Sequence, residues 1–389
     1  MKLLFVGARL FDDVALYAKQ KGLETILTES NPMARNLELA DKHYLVPRGM
    51  TDPMDIAIKE DVDAVVPLMG IDGPLLEVAK MKEKLEEDHD IPVVASGVFA
   101  TSIARDKLRT KEFLLEKGIK TPKFHKIIPG TSRNINTETV DTNFPVVLKQ
   151  PEGQGGSGVE IISSRVDLDN RLENLSDSME EIFLEEFLQG IEVSIEVLRW
   201  EGSSVPLVPV YKGETTVEGI HPLNKIKKAP LDVDGVDNRK NNRDIQNLAS
   251  EIAELVGIEG TADIDIIFNA ETKENNIIEI NNRPSGTRYI TAASTGLNPL
   301  HELVDMGAGC WNPENVQKRL KDFAGLEIPV GKLESDRNNY KFRNFSGEES
   351  WIVHGPENYE RVTIRGRTMR KTFEIAESLK INLEKLKNE

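Results

Sequence analysis

The sequence predicts an α/β fold in which a parallel, helix-flanked sheet comes first and an antiparallel sheet follows. Three observations predict it. Over the first hundred residues, short apolar strands alternate with helical patterns. Residues 262–281 read as an antiparallel hairpin. Between these regions, the glycine-rich run Gly153-Gln154-Gly155-Gly156-Ser157-Gly158 follows a strand-like segment.

The elements follow in order. Residues 3–6 read as a buried first strand, 13–21 as a helix stopped by Gly22, and 24–28 as a second strand. Residues 64–67 and 93–95 are further strands, and this βαβ rhythm implies a parallel sheet, Rossmann-like in plan. Gly7-Ala8-Arg9 is only a short turn, not the full dinucleotide fingerprint. Residues 101–120 read as one helical block ended by Gly118, with Thr121-Pro122 opening a strand. Residues 144–149 form a strand running into the glycine loop, and 181–187 and 193–198 are strands around Gly190. Residues 242–256 form a helix before the hairpin, in which Asn275-Asn276 are expected to turn the chain. Beyond Trp311 the pattern weakens, then strands return within 351–365 and a charged helix near 367–388. The expected domains are 1–100, a parallel-sheet unit; 101–185, a small lid; 186–310, a catalytic antiparallel unit; and 311–389, an extension that covers the site or contacts a second subunit.

Bulk properties narrow the function. A chain of 389 residues is too long for one core, so two or three domains are expected. No apolar run approaches the ~20 residues of a membrane span. Residues 1–7 resemble the start of a signal peptide, but Arg9, Asp12 and Asp13 interrupt it, so a cytoplasmic protein is expected. A net charge of −16 argues against nucleic acid and anionic membranes as partners, while local cations still admit phosphate. The lone Cys310 excludes an internal disulfide and a cysteine-built metal site. The basic run 361–371 either touches an anionic substrate or a second subunit of a homodimer, or is a solvated strand and helix start.

The chemistry concentrates in the hairpin. Alternation on a strand points Glu279 and Asn281 to one face, and the antiparallel partner brings Asp265 opposite them. Oxygen donors without His or Cys suit Mg²⁺ held together with phosphates. Arg283 follows at once and could neutralise a transferring phosphoryl group. In the glycine loop, Gly155, Gly156, Ser157 and Gly158 could offer backbone N–H groups to phosphate oxygens, and Lys149 ends the strand before it. The spacing is not that of a Walker loop.

In that order, these segments resemble the ATP-grasp superfamily of carboxylate–amine ligases over about residues 1–310. The run Ser102–Lys107 resembles the family's first ATP-lysine segment, and the strand ending in Lys149 the second. Glu185-Glu186-Phe187-Leu188 resembles the hinge that reads adenine through its main chain, with Glu192 in the place of the ribose-binding acid. Gly219-Ile220-His221 resembles the nucleotide-side loop of carbamoyl phosphate synthetase large subunits. The resemblance implies an α+β ATP-grasp fold, ATP and two Mg²⁺ ions, and an acylphosphate joined to an amine. Asp265, Glu279 and Asn281 are its metal ligands, and Lys149, Glu279 and Arg283 its catalytic groups. Lys107, Lys149, the glycine loop, residues 185–188, Glu192 and His221 hold the nucleotide. Glu29, Arg288, Tyr289 and Ser294 are the candidate contacts to amino-acid or peptide substrates. The motif after Asn281 departs from that of biotin carboxylases. One set of motifs is similar to the lysine-adding ligase of pyrrolysine synthesis and to the carbamoyl-phosphate-synthetase-like proteins associated with pseudomurein in methanogens. Phosphorylation of bicarbonate or carbamate, and a non-catalytic ATP-binding regulator, are the alternatives.

Overall fold

The computed structural model describes residues 1–127, 143–175, 181–218, 224–331, 344–355 and 358–381. Four parallel strands open the chain: β1 (Lys2–Val6), β2 (Glu24–Glu29), β3 (Lys42–Leu45) and β4 (Ala64–Pro67), in the order β3-β2-β1-β4. A parallel sheet needs cover on both faces. Leu4, Val6, Ile26 and Val65 pack against Ile56 and Ala57 of α2 (Thr51–Glu60) and Met81 and Leu85 of α3 (Leu75–His89), α1 being Ala15–Gln20. The opposite face carries Leu3, Phe5, Leu27 and Val66. Residues 93–95 are not a full strand. Val93 makes an isolated parallel bridge to Val65, and Pro92, with no N–H, cannot lengthen it.

The helical block expected over 101–120 is two helices, α4 (Val98–Arg105) and α5 (Lys107–Glu116). Asp106 breaks it: its backbone is extended and its carboxylate accepts the Leu108 and Arg109 N–H groups, capping α5. The lid follows as β5 (Phe124–Ile127), β6 (Val146–Lys149), β7 (Val159–Ile162), α6 (Arg165–Leu175) and β8 (Ile182–Glu186), ordered β5-β8-β6-β7. Lys149 pairs with Val159, so the glycine loop is the tip of the β6–β7 hairpin. The lid has its own core, with Ile127, Val146, Leu148, Ile162, Leu168 and Leu184.

The remaining strands form one large sheet. They are β9 (Ile191–Trp200), β10 (Ser203–Glu214), β11 (Lys227–Ala229), β12 (Gly260–Asn269), β13 (Glu274–Asn281), β14 (Ala324–Gly331), β15 (Ser350–His354) and β16 (Glu360–Gly366), ordered β13-β12-β9-β10-β11-β14-β16-β15. Residues beyond 311 thus build onto this sheet, where β14 pairs with β11. Helix α7 (Asn238–Val256) covers one face, its Ile245, Ala249, Ile252 and Val256 packing on Val193, Ile195, Val197 and Ile264. Helices α8 (Arg288–Thr295), α9 (Pro299–Gly307) and α10 (Pro313–Arg319) follow the hairpin, and α11 (Met369–Ser378) packs on β14 and β16.

The parallel and large sheets share one apolar core. Leu3, Phe5 and Val66 join Leu198, Trp200, Val205 and Leu207 with Leu300 and Leu303 of α9 between them. Polar bonds reinforce this joint: the Tyr17 hydroxyl donates to Asp305 at 2.9 Å, and Tyr289 donates to Asp13 at 2.7 Å. Among the described residues, no helix is long and apolar enough to cross a membrane.

Candidate active site

Strand register places the central residues. Asp265 on β12 pairs directly with Glu279 on β13, and Asp263 pairs with Asn281. A bulge after Asp265 leaves Ile278 as the extra residue, so Glu279 and Asn281 stay on the polar face while Ile277 and Ile280 reach the core. The turn is not at Asn275-Asn276, which pair with Phe268 and Ile267 inside the hairpin. The chain reverses over residues 270–273, where the Asn269 side chain accepts the Glu271 and Thr272 N–H groups and Lys273 takes a left-handed φ of 62°.

A cavity of about 250 Å³ lies between this face and the lid, lined by Lys107, Lys149, Gly155, Gly156, Ser157, the 185–188 segment, Glu192, Asp265 and Glu279. Lys107 at the start of α5 donates to the Gly153 carbonyl at 2.5 Å and stands 3.9 Å from Glu279. Gly153 takes a φ of 148°, and a Cβ there would meet the Ser157 carbonyl oxygen at 2.6 Å, so the tight loop needs glycine. Lys149 is buried and bonded to Glu185 at 2.7 Å, while Lys111 holds the other Glu185 oxygen at 2.5 Å. Burial would raise the Glu185 carboxyl, but the two ammonium groups outweigh it and hold it below the usual range. Lys111 is pushed down to about 8, mainly by burial, with Lys149 adding to the shift and Glu185 opposing it. Glu186 accepts the Lys123 N–H, and Glu192 pairs with Lys225 at 2.5 Å.

Asp265 is held by Lys212 of β10 at 2.6 Å. Lys212 thus supplies a positive charge beside this carboxylate that the sequence pattern does not single out. Burial lowers the Lys212 pKa, but Asp265, Asp263 and Glu192 raise it further, so it stays charged. Arg283 instead pairs with Asp72 from the N-terminal domain and donates to Asn281 Oδ1 at 3.2 Å. The Glu279 carboxyl is raised by burial and by Asp265, with Lys107 opposing.

The substrate candidates divide. Glu29 accepts the Ala8, Ser30 and Asn31 N–H groups at the end of β2. Arg288 lies 3.6 Å from Asp13 and stacks on Tyr289, at the joint between the two sheets. Ser294, in the last turn of α8, is buried and donates to the Phe323 carbonyl. His221 lies outside the described residues. The basic run separates in the same way: Arg361 and Arg365 are buried on Glu327 and on the Ala292 and Ala293 carbonyls, while Arg367, Arg370 and Lys371 pair with exposed acids.

The chain matches the family model "Carbamoyl-phosphate synthase L chain, ATP binding domain" over residues 106–312. It is 44% identical, over 97% of its length and 100% of the other, to a Methanobrevibacter smithii protein described as carbamoyl-phosphate synthase. The chain belongs to this ATP-grasp ligase family. Members of the family are ADP-forming carbon–nitrogen ligases. The carbamoyl phosphate synthase large chain of Clostridium beijerinckii is 28% identical over 71% of this chain, which spans 25% of that protein. The L-amino acid ligase of Bacillus licheniformis superposes with a TM-score of 0.71 at 17% identity, over 97% and 96% of the two chains, and shares the ATP-grasp fold.

Within this ATP-grasp site, a second acidic pair adjoins the hairpin. Glu196 on β9 pairs with Asp263 on β12, one row from Asp265. Both are buried, and among the described residues neither Glu196 oxygen has a hydrogen-bond partner of good geometry, Thr291 and the Ser285 backbone being only weak neighbours. Burial, then the Asp263 charge, pushes the Glu196 carboxyl up to about 8. Between the ordinary 4.5 and about 8, the folded protein keeps a proton that the unfolded chain releases, so stability falls as pH rises through that window. Glu196→Gln removes this loss. Its Tm at pH 8 is expected to exceed that of the wild type by roughly 5 °C, with a smaller difference at pH 5. Equal slopes of Tm against pH would show that Glu196 ionises normally.

Proposed function

We propose that the protein uses ATP to activate a substrate carboxylate as an acylphosphate and joins it to the amine of an amino acid or peptide. The supporting observation is the in-register pairing of Asp265 with Glu279 on a cavity wall that also receives Lys107, Lys149 and the glycine loop. Mg²⁺ fits this donor set. Two carboxylates and an amide present hard oxygen atoms, and Asp265 and Glu279 face each other as one register pair across the hairpin. Asp265, Glu279 and Asn281 would hold the ions, two by resemblance, and bound Mg²⁺ would lower the repulsion between phosphate and carboxylate.

The chain's own residues do the rest. Lys107 and Lys149 meet the phosphate charge, and the 155–158 backbone covers it. The 185–188 main chain faces the base, and Glu192 takes the ribose. The substrate carboxylate bonds to the γ-phosphorus as the bond to ADP breaks, and Arg283 takes up charge on the moving phosphoryl group. The amine then attacks the acyl carbon, phosphate leaves, and the amine's proton passes to solvent. Water would hydrolyse the acylphosphate, so the glycine loop has to exclude it. Glu29, Arg288 and Tyr289 remain the candidate substrate contacts; Arg288, which stands 3.6 Å from Asp13, would bind a further carboxylate.

The full-length relative described as carbamoyl-phosphate synthase favours a second reading, phosphorylation of bicarbonate or carbamate. A phosphate-release screen with Mg-ATP separates them. Release that depends on an amino-acid or peptide pair and yields an amide supports the first, and bicarbonate-dependent release supports the second. ATP binding without turnover across the panel would leave neither standing.

A further inference from the structure

The turn Gly70-Ile71-Asp72-Gly73 follows β4 at the carboxyl end of the parallel sheet, where open α/β sheets receive ligands. The lid reads its backbone. Gln154 Nε2 donates to the Gly70 carbonyl at 3.1 Å, and the Asp72 N–H donates to Gln154 Oε1 at 3.3 Å. A primary amide is the side-chain group that offers a donor and an acceptor together in this way. Gln154 sits beside Gly153, whose carbonyl is already held by Lys107. The Asp72 carboxylate takes Arg283 Nε, and Arg283 Nη2 donates to Asn281 Oδ1. Direct contacts thus run from the loop that covers the nucleotide, through one turn of the N-terminal domain, to a metal-ligand candidate.

We propose that this turn couples the two sides of the cleft. Gln154 is a positioning residue that seats the glycine loop on the N-terminal domain, and Asp72 is a positioning residue that sets Arg283 against Asn281. A loop seated through the substrate-side domain closes over ATP when that domain is correctly placed, which limits loss of the phosphoryl group to water. The catalytic consequence rests on the ligase reading; the structural coupling does not.

Hydrogen exchange on the full chain with Mg-ADP tests the coupling without turnover. In Gln154→Ala, exchange is expected to quicken about tenfold in 153–158 and also in 70–73, with the cores of both sheets unchanged. Acceleration confined to 153–158, or none, overturns the coupling. For Asp72, the readout is kinetic, with the substrate pair that the screen identifies. Asp72→Asn is expected to lower kcat about tenfold or more, with KM for ATP within about threefold, and Asp72→Glu to recover part of the loss. A wild-type kcat in Asp72→Asn overturns that assignment. If no pair turns over, quickened exchange in 281–283 in Asp72→Asn still supports the Arg283 contact, and unchanged exchange there overturns it. Absence of turnover with the exchange pattern intact would count against the ligase reading alone.

Discussion

Glu279→Gln is expected to lower phosphate release from Mg-ATP by about 10²–10³-fold while leaving the fold intact. The carboxylate stands opposite Asp265 and 3.9 Å from Lys107, in a place where burial already raises its proton affinity. The amide keeps the shape and removes one of two facing negative charges. Melting temperature is therefore expected to hold or rise, because the repulsion with Asp265 disappears. A variant with wild-type turnover would remove Glu279 from the mechanism. A variant that melts early would assign the lost activity to folding.

The second large effect is on stability. Glu185 is fully buried and holds Lys149 and Lys111, one on each oxygen. Glu185→Gln leaves two ammonium groups without the carboxylate they share, at a cost of about 3–5 kcal/mol, which corresponds to a fall in Tm of roughly 5 °C in a chain of this length. Raising the pH to about 9 should recover part of it. Lys111, already pushed down to about 8, then sheds its proton in the folded state while the unfolded chain keeps one, so folding gains as pH rises. Lys111→Met in the same background should also restore stability, because one of the two stranded charges is gone. In the wild type the Glu185 contribution has the opposite edge: it is present above the ordinary carboxylate range and is lost as acid protonates the group. Thermal melts of both variants across pH 5–9, and of the wild type down to about pH 3, check these signs. An unchanged Tm in Glu185→Gln would mean that solvent or another acid already pairs the lysines.

The parts of the site written in short-range pattern were legible in the sequence. Asp265, Glu279 and Asn281 lie on two consecutive strands, where a period of two fixes their common face. The glycine loop was legible because a local run of glycines marks it, whereas the Gln154 side chain within it bonds Gly70, 84 residues away. The partners Lys111, Lys212 and Lys225 were not. Each comes from another element, Lys111 from helix α5, Lys212 from β10 and Lys225 from the segment before β11, and meets its acid through tertiary packing that no local spacing encodes. Arg283 follows Asn281 by two residues, so proximity in sequence pointed to the phosphoryl group; its partner Asp72 is 211 residues away and belongs to another domain. Asn275-Asn276 carried a turn's composition inside a strand, and the Asn269 side chain made the turn instead.

The division of the apolar cores has a mechanical consequence. The parallel and large sheets are welded through Leu3, Phe5, Leu198, Trp200 and α9, whereas the lid packs on itself. Prising the first two apart would expose a continuous oily seam, while swinging the lid breaks little besides polar contacts. Nucleotide must therefore enter and leave past a jaw formed by the lid, against a base that stays in one piece.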